Sequence, residues 1–294
     1  MSRGVLLTLS AYVLWGLSPL YWKQLDHLAP GEIIAFRMLA TVGLLYIGHL
    51  VLGTLRRVLT AAADRRARAL ALLSATLLGA NWLMFVWAVN TDRVLEASLG
   101  YFMNPLMSVV LGVVVLGERM RRVQWAAVAL AGVGVLVLTI DVGTLPWVSL
   151  LLAGTFAFYG LIRKLSPLGS FDGLSLEVSA MAPFALGALL VRASAGPGLE
   201  GLDSPGTVAL LLGTGVVTAA PLLLFASGAR LIDLTTVGLL QYVAPTLQFL
   251  LGVIVYGEGW SGGQAVGYVV IWVALALFAG EGVWRRQRAP AVIG

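Results

Sequence analysis

The sequence predicts an all-α membrane protein with ten transmembrane helices, arranged as two inverted repeats of five. Three observations carry this prediction: a composition too apolar for a water-soluble core, ten apolar stretches of spanning length, and a second half that repeats the first. Of 294 residues, 59% are hydrophobic and 11% charged, with a mean hydropathy of +0.93. A soluble domain carries about 25% charged residues, so lipid must be the solvent for much of this chain.

A helix needs roughly 20 mainly apolar residues to cross the hydrocarbon layer. Such stretches lie at 4–22, 32–53, 69–90, 95–116 and 124–140, and again at 147–164, 174–192, 207–229, 234–256 and 264–283. Arg3 followed by the apolar run Val5–Leu20 has the outline of a signal peptide, but no small-x-small cleavage site follows. It is read as an uncleaved first helix. The longest connections, Gly53–Arg68 and Ala193–Gly206, are too short for a soluble domain.

Loop charges orient the chain. With the N-terminus in the cytoplasm, the inside loops hold Arg3, Arg56, Arg57, Arg65, Arg66, Arg68, Arg119, Arg121, Arg122, Arg163, Lys164, Arg230, Arg285, Arg286 and Arg288. The outside loops hold only Lys23, Arg93 and Arg192, and Arg37 falls within a segment. By the positive-inside rule both termini are expected in the cytoplasm, in a multi-pass protein of the plasma membrane.

The internal repeat is seen at an offset of 140. Phe85 matches Phe225, Pro105 matches Pro245, Gly112 matches Gly252, Gly117-Glu118 matches Gly257-Glu258, and Gln124 matches Gln264. Toward the start of each half the offset drifts to 144 or 145, where Trp15-Gly16 meets Tyr159-Gly160 and Glu32 meets Glu177. The two repeats run over 4–141 and 147–283. Five is odd, so the halves enter the membrane from opposite sides, an arrangement frequent in secondary transporters.

Polar groups in hydrocarbon are costly and should face protein or water. In the fourth segment Tyr101, Pro105, Ser108 and Gly112 share a helical face, with Asn104 beside them; in the ninth, Gln241, Pro245, Gln248 and Gly252 do the same, with Tyr242 adjacent. Each proline removes a backbone donor and frees a carbonyl. Two readings follow: these faces line a central solute cavity, or they knit helices together, as small and amide side chains do in membranes. The cavity reading is preferred for Tyr101, Asn104, Gln241 and Gln248, and the packing reading for Gly112 and Gly252. Asn81, Trp82, Trp15 and Tyr159 join the cavity set, the last two because they match across the repeat.

The charged intramembrane candidates are Glu32, Arg37, Glu96, Glu118, Glu177 and Glu258. Glu118 is expected to form a surface ion pair with Arg122, four residues on. Glu32 and Glu177 are each expected to open a helix, where the dipole favours a carboxylate, and Glu258 has no cationic neighbour in sequence. Arg37 lies about 7.5 Å deeper than Glu32 at the helical rise and requires a partner or a wet cavity.

Several functions are disfavoured. The net charge of +5 is clustered in short loop runs, which argues against nucleic acid as a partner. Cysteine is absent and the two histidines, His27 and His49, are far apart, so neither a metal site nor a cofactor is expected. No GxxxxGK[ST] motif provides for nucleotide hydrolysis. No Asp-rich motif or Ser/His pair supports an intramembrane lipid-modifying enzyme. The expected partners are the bilayer and a small-molecule solute; a passive channel is the alternative to a carrier, and an intramembrane lipid-modifying enzyme the less favoured one.

The stretch NWLMFVWAVNTDRVLEASLGYFMNPLMSVVLGVVVLGERMRR from Asn81, with AYVLWGLSPLYWK, FAFYGLIRK, QYVAPTLQFLLGVIVYGE and IWVALALF, resembles the RarD subfamily of EamA-type transporters. These belong to the drug/metabolite transporter superfamily, and the match runs over roughly residues 2–286. The resemblance implies two inverted EamA repeats, cytoplasmic termini and a cavity lined by segments 1, 3, 4, 6, 8 and 9. It supports Trp15, Asn81, Trp82, Tyr101, Asn104, Tyr159, Gln241 and Tyr242 as substrate-binding residues. Arg37 matches an arginine common in the second helix of EamA repeats, which is Ala182 in the second half. The histidine often found before it is Phe36 here, so a relay through that histidine does not carry over. Members are commonly labelled chloramphenicol-sensitive or chloramphenicol-resistance permeases, which implies a small metabolite or drug as solute.

Overall fold

The computed structural model describes residues 2–91, 93–143, 146–194, 199, 202, 204–257, 259 and 261–288, and every regular element among them is helical. The first half contains α1 (Arg3–Leu17), α2 (Pro19–Trp22), a 3-10 turn (Lys23–Leu25), α3 (Pro30–Val51), α4 (Leu55–Ala63), α5 (Arg65–Asn90), α6 (Val94–Val114) and α7 (Arg122–Val142). The second contains α8 (Trp147–Leu165), α9 (Ser170–Ser194), α10 (Pro205–Ala229), α11 (Leu234–Gln241), α12 (Val243–Ile254) and α13 (Gly262–Arg288). Among the described residues ten spans are long and apolar enough to cross a membrane, with α1, α2 and the 3-10 turn forming the first and α11–α12 the ninth.

The breaks follow from proline. Pro19 has no N–H to return to the Trp15 carbonyl, and the Ser18 hydroxyl donates to that carbonyl instead at 2.8 Å, at the junction of α1 and α2. Pro245 likewise leaves the Gln241 carbonyl without its i+4 donor, and the helix divides at Tyr242 into α11 and α12. In contrast α6 remains continuous through Pro105. The Gly53–Arg68 connection holds α4, an amphipathic helix with Val58 buried and Arg56 and Arg57 exposed. Helix starts are capped as the sequence allows: Asp64 accepts from the Ala67 amide at 2.6 Å and Ser204 from the Thr207 amide at 3.1 Å.

The principal helix pairings are unchanged when each span is exchanged with the span five later. α3 packs on α9, α6 on α11 and α7 on α13. α1 packs on α10 as α8 packs on α5; α6 packs on α8 as α12 packs on α1; α3 packs on α10 as α9 packs on α5. α7 and α13 approach through Gly134 and Gly267: a Cβ on Gly134 would stand 2.9 Å from the Gly267 carbonyl oxygen, closer than real Cβ atoms come.

The turns after α6 and α12 share their hydrogen bonds and their glycine conformation. Val115 and Val255 donate to the carbonyls of Leu111 and Leu251. Gly117 and Gly257 both adopt φ of +65°, a conformation that favours glycine. Gln124 and Gln264 then accept from the backbone amides of Arg121 and Ser261, each at 2.9 Å. Glu258 lies outside the described residues.

Candidate functional site

The sequence-nominated residues fall into three groups. At the centre, five rings from three helices meet: Tyr12 and Trp15 of α1, Phe156 and Tyr159 of α8, and Phe225 of α10. Trp15 lies 5.7 Å from both Phe156 and Phe225, and Tyr159 stacks on Phe225 at 6.1 Å. Trp15 and Tyr159, matched in sequence, are therefore joined through Phe156 and Phe225. Tyr159 is fully buried, and its hydroxyl donates to Glu177 at 3.3 Å, which makes it a core residue rather than an open cavity wall.

Two amides tie helices together. Asn81 of α5 donates to the Leu152 carbonyl and to the Thr155 hydroxyl of α8, both at 2.9 Å. Gln248 of α12 donates at 3.2 Å to the Trp15 carbonyl, the acceptor that Pro19 leaves without a helical donor. Gly112 has a packing role too, since a Cβ there would stand 2.6 Å from Glu118 Oε2 and 2.9 Å from Thr235 Cγ2. Tyr242 is turned away from this group. It is fully buried in the cluster of Leu99, Phe102, Tyr268 and Ile271, and its hydroxyl has no hydrogen-bond partner among the described residues.

The remaining residues are polar side chains of α3, α6 and α11. Arg37 of α3 places its guanidinium carbon 3.9 Å from the Trp82 ring centre and 5.5 Å from that of Trp22. Tyr101 of α6, 40% exposed, is within electrostatic reach of Arg37 and meets Phe85 edge-on at 6.0 Å. On the packed pair α6–α11, Asn104 and Gln241 are buried, and the Asn104 Oδ1 atom has no hydrogen-bond partner among the described residues. Pro105 and Pro245 have no N–H for the carbonyls of Tyr101 and Gln241, so both repeats carry freed acceptors at the same position. Buried polar groups are ordinarily satisfied; a set that is not is suited to meeting a ligand.

The EamA-like transporter family model matches residues 2–140. The protein RarD of Streptomyces exfoliatus is 41% identical over 291 residues, covering 98% of this chain and 91% of its own. The chloramphenicol-sensitive protein RarD of Pseudomonas aeruginosa is 32% identical over 281 residues, covering 94% and 93%. The chain belongs to the RarD group of EamA-type transporters. A known crystal structure with 17% identity superposes with a TM-score of 0.71, covering 94% of this chain and 97% of its own, which supports the fold.

In this RarD-type membrane transporter most buried charges are matched. Glu32 accepts from Arg192 Nε at 2.9 Å, linking α3 to α9. It stands in the first turn of α3 as expected, with an arginine as well as the helix dipole opposite it. Glu177 does not open its helix: α9 starts at Ser170, and Glu177 is two turns in, where it accepts from Arg163 Nη1 at 2.9 Å. Gly173, one turn before Glu177, leaves the slot that the guanidinium fills. Glu118 is not paired with Arg122. Its carboxylate accepts from the amides of Leu234 and Thr235 at 2.6 and 2.8 Å and stands 3.7 Å from Lys164. Glu96 pairs with Arg93 at 3.3 Å.

Sequence reasoning missed Arg163, which it used only as a topology signal, and Trp22, which it left at a segment end. Spacing held a signal for the first: a glycine and a glutamate four apart share one helix face. His49 is a core residue, with Thr54 at 2.8 Å on Nδ1 and Ser175 at 2.9 Å on Nε2.

Proposed function

We propose that this protein is a secondary transporter of the plasma membrane that moves a small amphipathic solute by alternating access between two inverted repeats. Both termini are placed in the cytoplasm, on the strength of the loop arginines. The observation that carries the reading is the polar group on α3, α6 and α11, where among the described residues Arg37 has no carboxylate partner and its Nε atom, like Asn104 Oδ1, makes no hydrogen bond. The exchange-invariant pairings and the repeated glycine turns support two related halves. Since ten spans alternate in direction, the turn after α6 and the turn after α12 fall on opposite faces, as inversion requires.

Each face carries a charged link between the halves. Toward the termini these are Glu118 with Lys164 and the α11 amides, and Arg121 with Glu281; on the other face it is Glu32 with Arg192. Opening one side means releasing the links on that face while the other face holds. Chloramphenicol is the first solute to test, because the name of the Pseudomonas aeruginosa relative refers to it.

The test is flux of labelled chloramphenicol and of a metabolite panel in proteoliposomes, in wild type and in Asn104→Ala and Gln241→Ala. Saturable wild-type flux of at least one of these solutes, falling in both variants, is expected. Unsaturable leakage, or unitary conductance in a planar bilayer, would replace the carrier reading with a channel. Wild-type flux that both substitutions leave unchanged removes this face from the path.

A further inference from the structure

Arg37, half-buried, differs from the buried charges of the spans. Glu32, Glu96 and Glu177 each have an arginine within 3.3 Å, whereas no described carboxylate lies within 4 Å of Arg37 and no described group accepts from its buried Nε–H. It stands seven residues into α3, about 10 Å from the helix start at the usual rise. A cation at that depth is costly unless something answers its charge, and cation–π contact offsets only part of that cost.

The surroundings define what could answer it. α3 packs on α9 and α10, and the Arg37 side chain reaches across to the Trp82 ring on α5, which also packs against the cluster of Ala35 and Met38. Indole faces from Trp82 and Trp22 hold the guanidinium and leave its Nε–H unspent. A guanidinium offers parallel N–H groups that match the two oxygens of a carboxylate. The same indoles offer a surface on which a flat apolar body can stack.

We infer that Arg37 recognises an anion, and that the solute is a carboxylate carried on a flat apolar body. This rests on reading the α3–α6–α11 group as the solute path. Arg37 supplies the charge that fixes one end of the solute, and Trp22 and Trp82 flank it. Asn104 and Gln241 supply neutral hydrogen bonds farther along.

The experiment is calorimetric titration of the full-length protein in lipid nanodiscs with matched acid and amide pairs. The probes are phenylacetate against phenylacetamide and 2-naphthoate against 2-naphthamide. The acids are expected to bind about tenfold or more tightly than their amides, as a charge-assisted hydrogen bond implies. Arg37→Gln should abolish that preference, and Arg37→Lys, a point charge without the fork, should keep part of it. Asn104→Ala should weaken acid and amide alike. Equal binding of acid and amide, acid binding untouched by Arg37→Gln, or no acid binding at millimolar concentration each overturn the inference. Should Arg37→Gln fail to fold, the wild-type pairs and Arg37→Lys decide it. Saturable flux in proteoliposomes that survives without any acid preference sinks the anion assignment and leaves the path standing; absence of saturable flux in wild type removes the path itself.

Discussion

The Arg163 guanidinium donates to the Glu177 carboxylate at 2.9 Å, and neither side chain is more than 1% exposed. Breaking a buried pair by removing one partner strands a charge, at a cost of about 3–5 kcal/mol. Arg163→Ala and Glu177→Ala should each lower the melting temperature in detergent clearly. The double replacement Arg163→Met with Glu177→Leu should recover much of the loss, because apolar groups leave no unanswered charge. Single variants that melt like wild type would show that the pair contributes nothing.

Gly173 makes room for that pair. A Cβ at this position would stand 2.2 Å from Arg163 Nη1, so Gly173→Ala must displace the guanidinium. The expected destabilisation is about 1–3 kcal/mol, the range for overpacking. In the Arg163→Met, Glu177→Leu background the same substitution should cost much less, and strict additivity in a double-mutant cycle would contradict the slot.

Glu118 should behave as a helix cap reaching from another span. Removing it in Glu118→Ala leaves the Leu234 and Thr235 amides without an acceptor, at about 1–2 kcal/mol. Arg122→Ala should leave stability unchanged, since that arginine does not hold the carboxylate. A larger loss from Arg122→Ala than from Glu118→Ala would reverse the assignment.

The α7–α13 crossing depends on two glycines. Gly134→Leu and Gly267→Leu should both wedge the helices apart and reduce the monodisperse yield in size-exclusion chromatography. Gly132→Leu serves as the control, because a Cβ there meets nothing within 4 Å. Equal yields for all three would mean that this crossing tolerates separation.

Ten spans, their order and the repeated turn were legible because lipid imposes a simple rule on composition and length. The positions of Pro105 and Pro245 were informative for the same reason, since a missing donor acts locally. Asn81 and Gln248 could be marked as polar within a span, yet whether each faced solute or a neighbour was not. Asn81 donates to α8 across 71 residues, and Gln248 to Trp15 across 233. Glu118 shows the same limit. Its neighbour in sequence was Arg122, while its acceptor geometry serves amides 116 and 117 residues away.

By itself, the sequence determined that this chain lives in lipid, how many times its helices can cross, and which residues would be expensive there. Those properties depend on solvent and on spacing along one helix. Only the tertiary structure decided which of the expensive residues are answered. Glu32, Glu96, Glu177, Asn81 and Gln248 find partners; Arg37 and Asn104 keep unanswered groups. A side chain's partner is set by which helices lie beside it, and that depends on packing between spans far apart in the chain.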